Sequence, residues 1–422
     1  MTDSPAGDKA PQTNVPPSGA PAAASARIRV SSVTGLLAVI PHLLGFHPSR
    51  SMVVVGLDGP RGRISLGFRY DLPDPPDLAR SREIAEHTIA VLEQRNITTV
   101  IAVGYGPGPL VTPVAENLRA ALGRAPITLR DLLRAEDGRY WSYMCKDPGC
   151  CPPEGAPFDG PSHPNAAAMA AAGMMARPDR DALAASLAPV TGAEAESMRR
   201  AEQRVLRRAQ QLTAGVRGSR HTRLLTDAGK IAVQDAIALY RSGGTITDEE
   251  QIAWIIMAVS DIRVRDDAWA RMDPEHRAAH LRLWTDLVRR APGHYMPAPA
   301  SLLAFTAWQS GEGALANIAI EHALAADPGY SMAQLIGEAL DAGLPPSAAR
   351  LPMTPEEVAA SYADSEPGGA AARETPARGT ARPGSPRKRP AKRGSAAQGS
   401  PRPGSAPSGA AARGSAARLG RR

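Results

Sequence analysis

Residues 98–122 read TTVIAVGYGPGPLVTPVAENLRAAL, and this stretch decides the fold class. The run 98–103 is β-branched at nearly every position and predicts a buried strand. Gly104, Gly106 and Gly108, interleaved with Pro107 and Pro109, then break the chain into a loop. Beyond it Val111, Val114, Ala115, Leu118 and Leu122 recur at helical spacing, so a helix lays one apolar face on the strand. Strand, tight loop and amphipathic helix in that order predict an α/β layer.

Working outward, the same alternation covers residues 27–145. Leu36, Leu37, Ile40, Leu43 and Leu44 form a helical stripe that Pro41 interrupts, so the helix is expected to kink there or end earlier. SMVVVGL at 51–57 reads as a buried strand, with a second strand near 63–70 and a helix near 78–94 carrying Ala85, Ile89 and Leu92. Glu136, Asp137 and Gly138 predict a hairpin turn between two short strands, the second ending in RYWSY at 139–143.

From residue 165 the pattern changes to helical spacing without a convincing strand. Thr247 and Glu250 fit a capping box ahead of Ile252, Ile255, Ile256 and Val259. Residues 301–340 resemble a single helix-turn-helix unit of a tetratricopeptide array, a pointer to protein contacts. Trp254, Trp269, Trp284 and Trp308 read as core. Val205, Leu206, Ala209 and Leu212 read as the apolar side of a helix whose arginines at 199, 200, 204, 207 and 208 face solvent. His276 and His280 read as solvated surface residues of a charged helix. The expected organisation is therefore a disordered segment 1–26, an α/β domain 27–160 ending in a Cys-rich segment, an all-α domain 161–364, and a disordered basic tail 365–422.

The 422 residues carry 49 Lys and Arg against 42 Asp and Glu, a net charge of +7. That excess lies in the Pro-, Gly-, Ser- and Arg-rich tail, leaving the body slightly acidic. The tail has no aromatic residue to stack on a base, so it implies only weak, non-specific attraction to nucleic acid. No run approaches the roughly 18 apolar residues of a membrane span. The first 26 residues, rich in proline and bearing Asp3 and Asp8, do not form a secretory signal, and a cytoplasmic location is expected. Only five of the basic residues are lysines, which suggests a high-G+C bacterial genome.

Chemistry-bearing residues concentrate in three places. The glycines at 104–108 sit between strand and helix, where backbone N–H groups can approach a phosphate, but Pro107 and Pro109 remove donors and an ordinary tight loop is the leading reading. His42 and His47 bracket a helix exit close to the strand at 51–57. All three cysteines, Cys145, Cys150 and Cys151, fall within seven residues. With His163 they supply the donors of a zinc site, or a redox pair, or merely a buried turn. Spacing favours the turn, because neighbouring cysteines on an extended backbone point apart and there is no C-x-x-C knuckle. No motif identifies a cofactor.

The runs VTGLLAVIPHLLGFHP at 33–48, SMVVVGL, VGYG at 103–106 and GRYWSY with Cys145 and Cys150-Cys151-Pro-Pro resemble the actinobacterial family called domain of unknown function forty-one ninety-two. The resemblance spans about 27–344 and lends no activity or cofactor. It marks His42, His47, Gly104, Tyr105, Gly106, Arg139, Trp141, Ser142, Tyr143, Cys145, Cys150 and Cys151 as signature positions. Two functions follow as expectations. One is a module that binds a small molecule or a protein partner, with a pocket made by the 104–108 loop and residues 143–151. The other is an enzyme using the cysteines as thiolate or metal ligands, with Arg139 or a histidine holding an anionic substrate.

Overall fold

A computed structural model describes residues 30–59, 62–348 and 354–363, all within one compact unit. The expected disordered ends lie outside the described residues. The chain begins with helix α1 (Val33–Leu44), strands β1 (Ser51–Asp58) and β2 (Arg63–Asp71), and helix α2 (Leu78–Gln94). Strand β3 (Thr99–Tyr105), helix α3 (Gly108–Leu122) and strand β4 (Thr128–Glu136) follow, then the short strands β5 (Arg139–Ser142) and β6 (Ala156–Pro157).

The six strands form one mixed sheet in the order β2-β1-β3-β4-β5-β6, and only β3 and β4 run parallel. The reason is connectivity. α3 carries the chain from the end of β3 back to the start of β4, whereas the tight Asp137–Gly138 hairpin, with both residues at positive φ, can only reverse it. β1 is paired on both sides, and its alternation fills two cores. Met52 and Val54 join Val100, Ala102 and Leu132 beneath α2 and α3, while Val53, Val55 and Leu57 join Val103 and Leu133 beneath α1.

The helix expected after the glycine loop buries Val111, Val114, Ala115, Leu118 and Leu122. It sits close on β3 because Gly104 has no side chain: a Cβ there would overlap Val111 Cγ1 and lie 3.1 Å from Cγ2. α1 does not end before Pro41. It continues to Leu44 and stops at Gly45 in the left-handed conformation, so the single backbone bond lost at the proline is outweighed by burial of Leu36, Leu37 and Ile40.

Downstream the described residues are helical: α4 (Pro164–Ala171), α5 (Arg180–Ala185), α6 (Gly192–Leu212), α7 (Ser219–Arg241), α8 (Glu249–Ala258), α9 (Ile262–Ala270), α10 (Arg277–Arg290), α11 (Pro297–Gln309), α12 (Gly313–Ala326), α13 (Ser331–Asp341) and α14 (Pro355–Ala363). No described helix is long and apolar enough to cross a membrane. α11 is buried along Pro297–Trp308 and serves as the hub on which α10, α12 and α13 pack, as a helix apolar on every side must. Trp254, Trp284 and Trp308 are buried as expected, and Trp269 packs edge-on against Phe305 at 5.3 Å.

Three expectations for this part are corrected. Asp248, not Thr247, caps α8: the helix begins at Glu249, so Asp248 is the flanking residue, and its carboxylate accepts the Glu250 N–H at 3.0 Å. The buried stripe of α6 is Met198, Ala201 and Val205, leaving Leu206 and Leu212 exposed. His280 is not a surface residue. It is 2% exposed on the inner face of α10 with Leu283, Trp284 and Leu287, while His276 stays half-exposed beside Asp273.

Candidate functional site

The carboxyl ends of the parallel pair lie side by side, Tyr105 opposite Ala135. Each chain must leave the sheet there, through Gly106–Pro107 after β3 and Asp137–Gly138 after β4, and the divergence opens a crevice. α1 forms one wall with Leu37, Ala38, Pro41 and His42, and α4, which packs on α1, closes the far side with Ala166, Ala167 and Ala170. Phe158 and the entry to β1 at His47 and Arg50 complete a cavity of about 790 Å³. Gly106 sits at φ 131°, a backbone conformation that a residue with a side chain rarely adopts, which lets the chain turn off β3 there.

The lining is apolar over most of its area, although the carboxylates of Glu136, Asp137 and Asp159 also border it. His42 Nδ1 lies 2.7 Å from the Met174 carbonyl oxygen, which can only accept, so Nδ1 carries a proton and donates that bond. Burial, and secondarily the charge of His42, lower the pKa of His47. Arg50 is held by an ion pair to Asp74. Tyr105 is among the lining residues, but its hydroxyl is buried with no hydrogen-bond partner among the described residues, and burial drives its pKa well above the ordinary range.

The cysteines lie beyond the other end of β5. Ser142 donates to Asp131 Oδ1 at 2.8 Å and accepts the N–H groups of Met144 and Cys145, both at 3.1 Å, which turns the chain off the strand. The Asp147 carbonyl oxygen then accepts from both Cys150 N at 3.1 Å and Cys151 N at 2.7 Å, while its carboxylate accepts from Gly149 N at 2.9 Å. This turn brings all three sulfurs within 4.8 Å of one another. Backbone hydrogen bonding from Asp147 lowers the Cys145 pKa, and burial together with the neighbouring sulfurs pushes Cys151 up to about 12. The expectation that adjacent cysteines point apart fails here because the backbone is a turn and not extended.

The chain belongs to the family of the domain of unknown function DUF4192. The family model matches residues 34–347, which include the whole cavity lining and the cysteine turn. No curated protein and no solved structure matches the chain. Within this DUF4192 chain the signature residues divide by place. His42, His47, Tyr105 and Gly106 meet at the cavity. Gly104 instead seats α3, and residues 143–151 do not line the cavity.

Arg139, Trp141 and Tyr143 have holding roles. Arg139 donates to the Gly155 carbonyl oxygen at 2.8 Å, Trp141 Nε1 donates to the Pro153 carbonyl oxygen at 2.9 Å, and the Tyr143 hydroxyl pairs with Thr112 at 2.9 Å. Arg134 lies over the Trp141 ring at 3.7 Å. His163 caps α4 through Nδ1, which accepts the Asn165 N–H at 3.1 Å, and does not join the sulfurs. Of the other lining residues, Phe158, Asp159 and Ala170 carry no signal in the sequence, and Glu136 and Asp137 are marked there as a turn and not as part of a site.

Proposed function

We propose that this DUF4192 protein binds a small, largely apolar organic molecule carrying a hydrogen-bonding group, in the cavity between α1, α4 and the ends of β3 and β4. The observation that carries the reading is a cavity of about 790 Å³ at the parallel pair's carboxyl ends, apolar over most of its lining and bordered by His42. Its size falls within the roughly 300–1,000 Å³ of pockets that take drug-sized ligands. His42, whose Nδ1 is engaged by Met174, would hydrogen-bond the ligand through its second ring nitrogen, and the alanines of α4 leave room for its apolar body.

Around this site we read an α/β part, 27–160, followed by a helical part, 161–364. Most of the helical core lies apart from the two sheet cores, which supports that division, although Phe46 and Leu44 join the helical core and α4 packs back on α1 at the cavity. A cytoplasmic, high-G+C actinobacterial protein, whose tail makes only weak non-specific contacts with nucleic acid, fits the arginine-rich composition.

The test is a ligand-observed NMR screen of a fragment library against the full chain and its Ala170→Trp variant. Ala170 is half-exposed and lines the cavity, so a tryptophan there is expected to occupy part of it, with circular dichroism checking that the variant folds. Fragments should bind the natural chain and lose binding in the variant, and His42→Ala should weaken the hydrogen-bonding subset alone. Identical binding to natural chain and Ala170→Trp, or no fragment bound at all, overturns the proposal.

A further inference from the structure

The cysteine turn has the geometry of a preformed soft-metal site. Cys145, Cys150 and Cys151 are free thiols, Cys150 is exposed, and the Cys150 and Cys151 sulfurs are 3.9 Å apart. A tetrahedral zinc ion with Zn–S bonds of about 2.3 Å holds its sulfurs about 3.8 Å apart, so this pair already has the spacing of two ligands on one ion. A disulfide needs its sulfurs at about 2.05 Å, well inside that contact. The third sulfur lies within 4.8 Å of both.

The support is independent of the sulfurs. Ser142 fixes the approach to Cys145 and is itself tied to Asp131 on β4, and the Asp147 carbonyl oxygen gathers the N–H groups of Cys150 and Cys151. On the far side Gly155, at φ 84°, passes beneath Trp141, where a Cβ would come within 2.6 Å of the indole. The loop is therefore anchored at both ends to strand β5. Among the described residues no His, Asp or Glu ligand atom joins the three sulfurs.

We propose that Cys145, Cys150 and Cys151 bind one zinc ion as thiolates and leave its fourth position open to an exogenous donor. Each thiol releases its proton to solvent on binding, and no electron is transferred. An open position is the arrangement of zinc that engages a substrate or a partner's ligand, in contrast to the closed four-ligand sites that only stabilise a fold.

The experiment uses the full-length chain, reduced and metal-free, titrated with cobalt(II) and then zinc(II). One equivalent of cobalt should bind with a sulfur-to-metal charge-transfer band, and zinc should displace it with release of protons. Metal retained after dialysis against trace zinc should fall from about one equivalent to near none in Cys145→Ser, Cys150→Ser and Cys151→Ser, each checked for native circular dichroism, while His163→Ala keeps the full equivalent. If the reduced natural chain retains no zinc, or if Cys150→Ser retains a full equivalent, the proposal is wrong. Because the natural chain is titrated directly, a variant that fails to fold does not shield the idea. Failure of the fragment screen at the α1–α4 cavity has no bearing on this result.

Discussion

Acidifying the protein should weaken it through one residue, His280. The residue is 2% exposed, and neither ring nitrogen has a hydrogen-bond partner among the described residues. The nearest carboxylate oxygen, on Asp273, is 3.9 Å from Nε2 and is already ion-paired with Arg241. Burial first, then the charges of Arg241 and His276, hold the His280 pKa down from 6.5 to about 4. Above pH 6.5 the imidazole is neutral in folded and unfolded chains alike, and it contributes no pH dependence. As the pH falls below that value, the unfolded chain takes up a proton that the folded chain refuses, so stability drops by about 1.4 kcal/mol per pH unit until the folded pKa is reached. The accumulated loss is about 3 kcal/mol, a substantial fraction of the stability of an ordinary domain.

The assay is equilibrium urea unfolding, followed by tryptophan fluorescence, at intervals from about pH 7 to about pH 4, for the natural chain and His280→Leu. Leucine removes the titrating site together with two buried nitrogens that lack partners, so the variant should match or exceed natural stability at neutral pH. Between the two ends of the series the natural chain should lose about 3 kcal/mol more than the variant. Parallel pH profiles would refute the reasoning, as would an NMR titration of the His280 ring with an ordinary midpoint.

Three further outcomes follow from the packing and the turns. Gly104→Val drives a side chain into Val111, so β3 and α3 should separate at a cost of about 1–3 kcal/mol, partly recovered by adding Val111→Ala, as urea midpoints would register. Asp248→Ala removes the cap on α8 and should cost about 1 kcal/mol in the same assay, whereas Thr247→Ala should change little. Ser142→Ala releases the Met144 and Cys145 N–H groups and should weaken zinc binding by about tenfold in competition with a colorimetric chelator, without unfolding the protein.

The elements of the sheet were legible wherever burial imposed a period. Residues 51–57 are apolar on both faces because α2 and α3 cover one face of the sheet and α1 the other, and the 3–4 spacing from Val111 marks the face of α3 that meets Gly104. Strand order and direction had no comparable signal, since periodicity says which face is buried and not which neighbour buries it. His280 was misread for a related reason. Glu275, Arg277 and Arg282 make the sequence around it look solvated, yet a helical face is set by spacing, and His280 shares one with Leu283, Trp284 and Leu287. The cavity was half visible: the histidines and the glycine loop drew notice on their own chemistry, but Ala166, Ala167 and Ala170 carry none and enter only because α4 packs on α1.

The cysteines show how a local exception hides in plain sequence. Adjacent side chains alternate only along an extended backbone, and Asp147-Pro148-Gly149 is turn chemistry that ends any extended run before Cys150. The two candidate sites leave β5 in opposite directions. Its Asp137–Gly138 end borders the cavity and its Ser142 end feeds the cysteine turn, and a strand of that length spans about 13 Å. Sites that far apart with no shared ligand residue should respond to mutation independently. Cys150→Ser should therefore leave fragment binding at the cavity unchanged, and Ala170→Trp should leave the zinc equivalent unchanged. If either variant altered the other site, β5 would have to shift as a unit, with Tyr140 carrying the motion to Phe158 through their edge contact at 6.3 Å. Tyr140→Ala would then abolish the cross-effect, and its persistence in that variant would exclude this route.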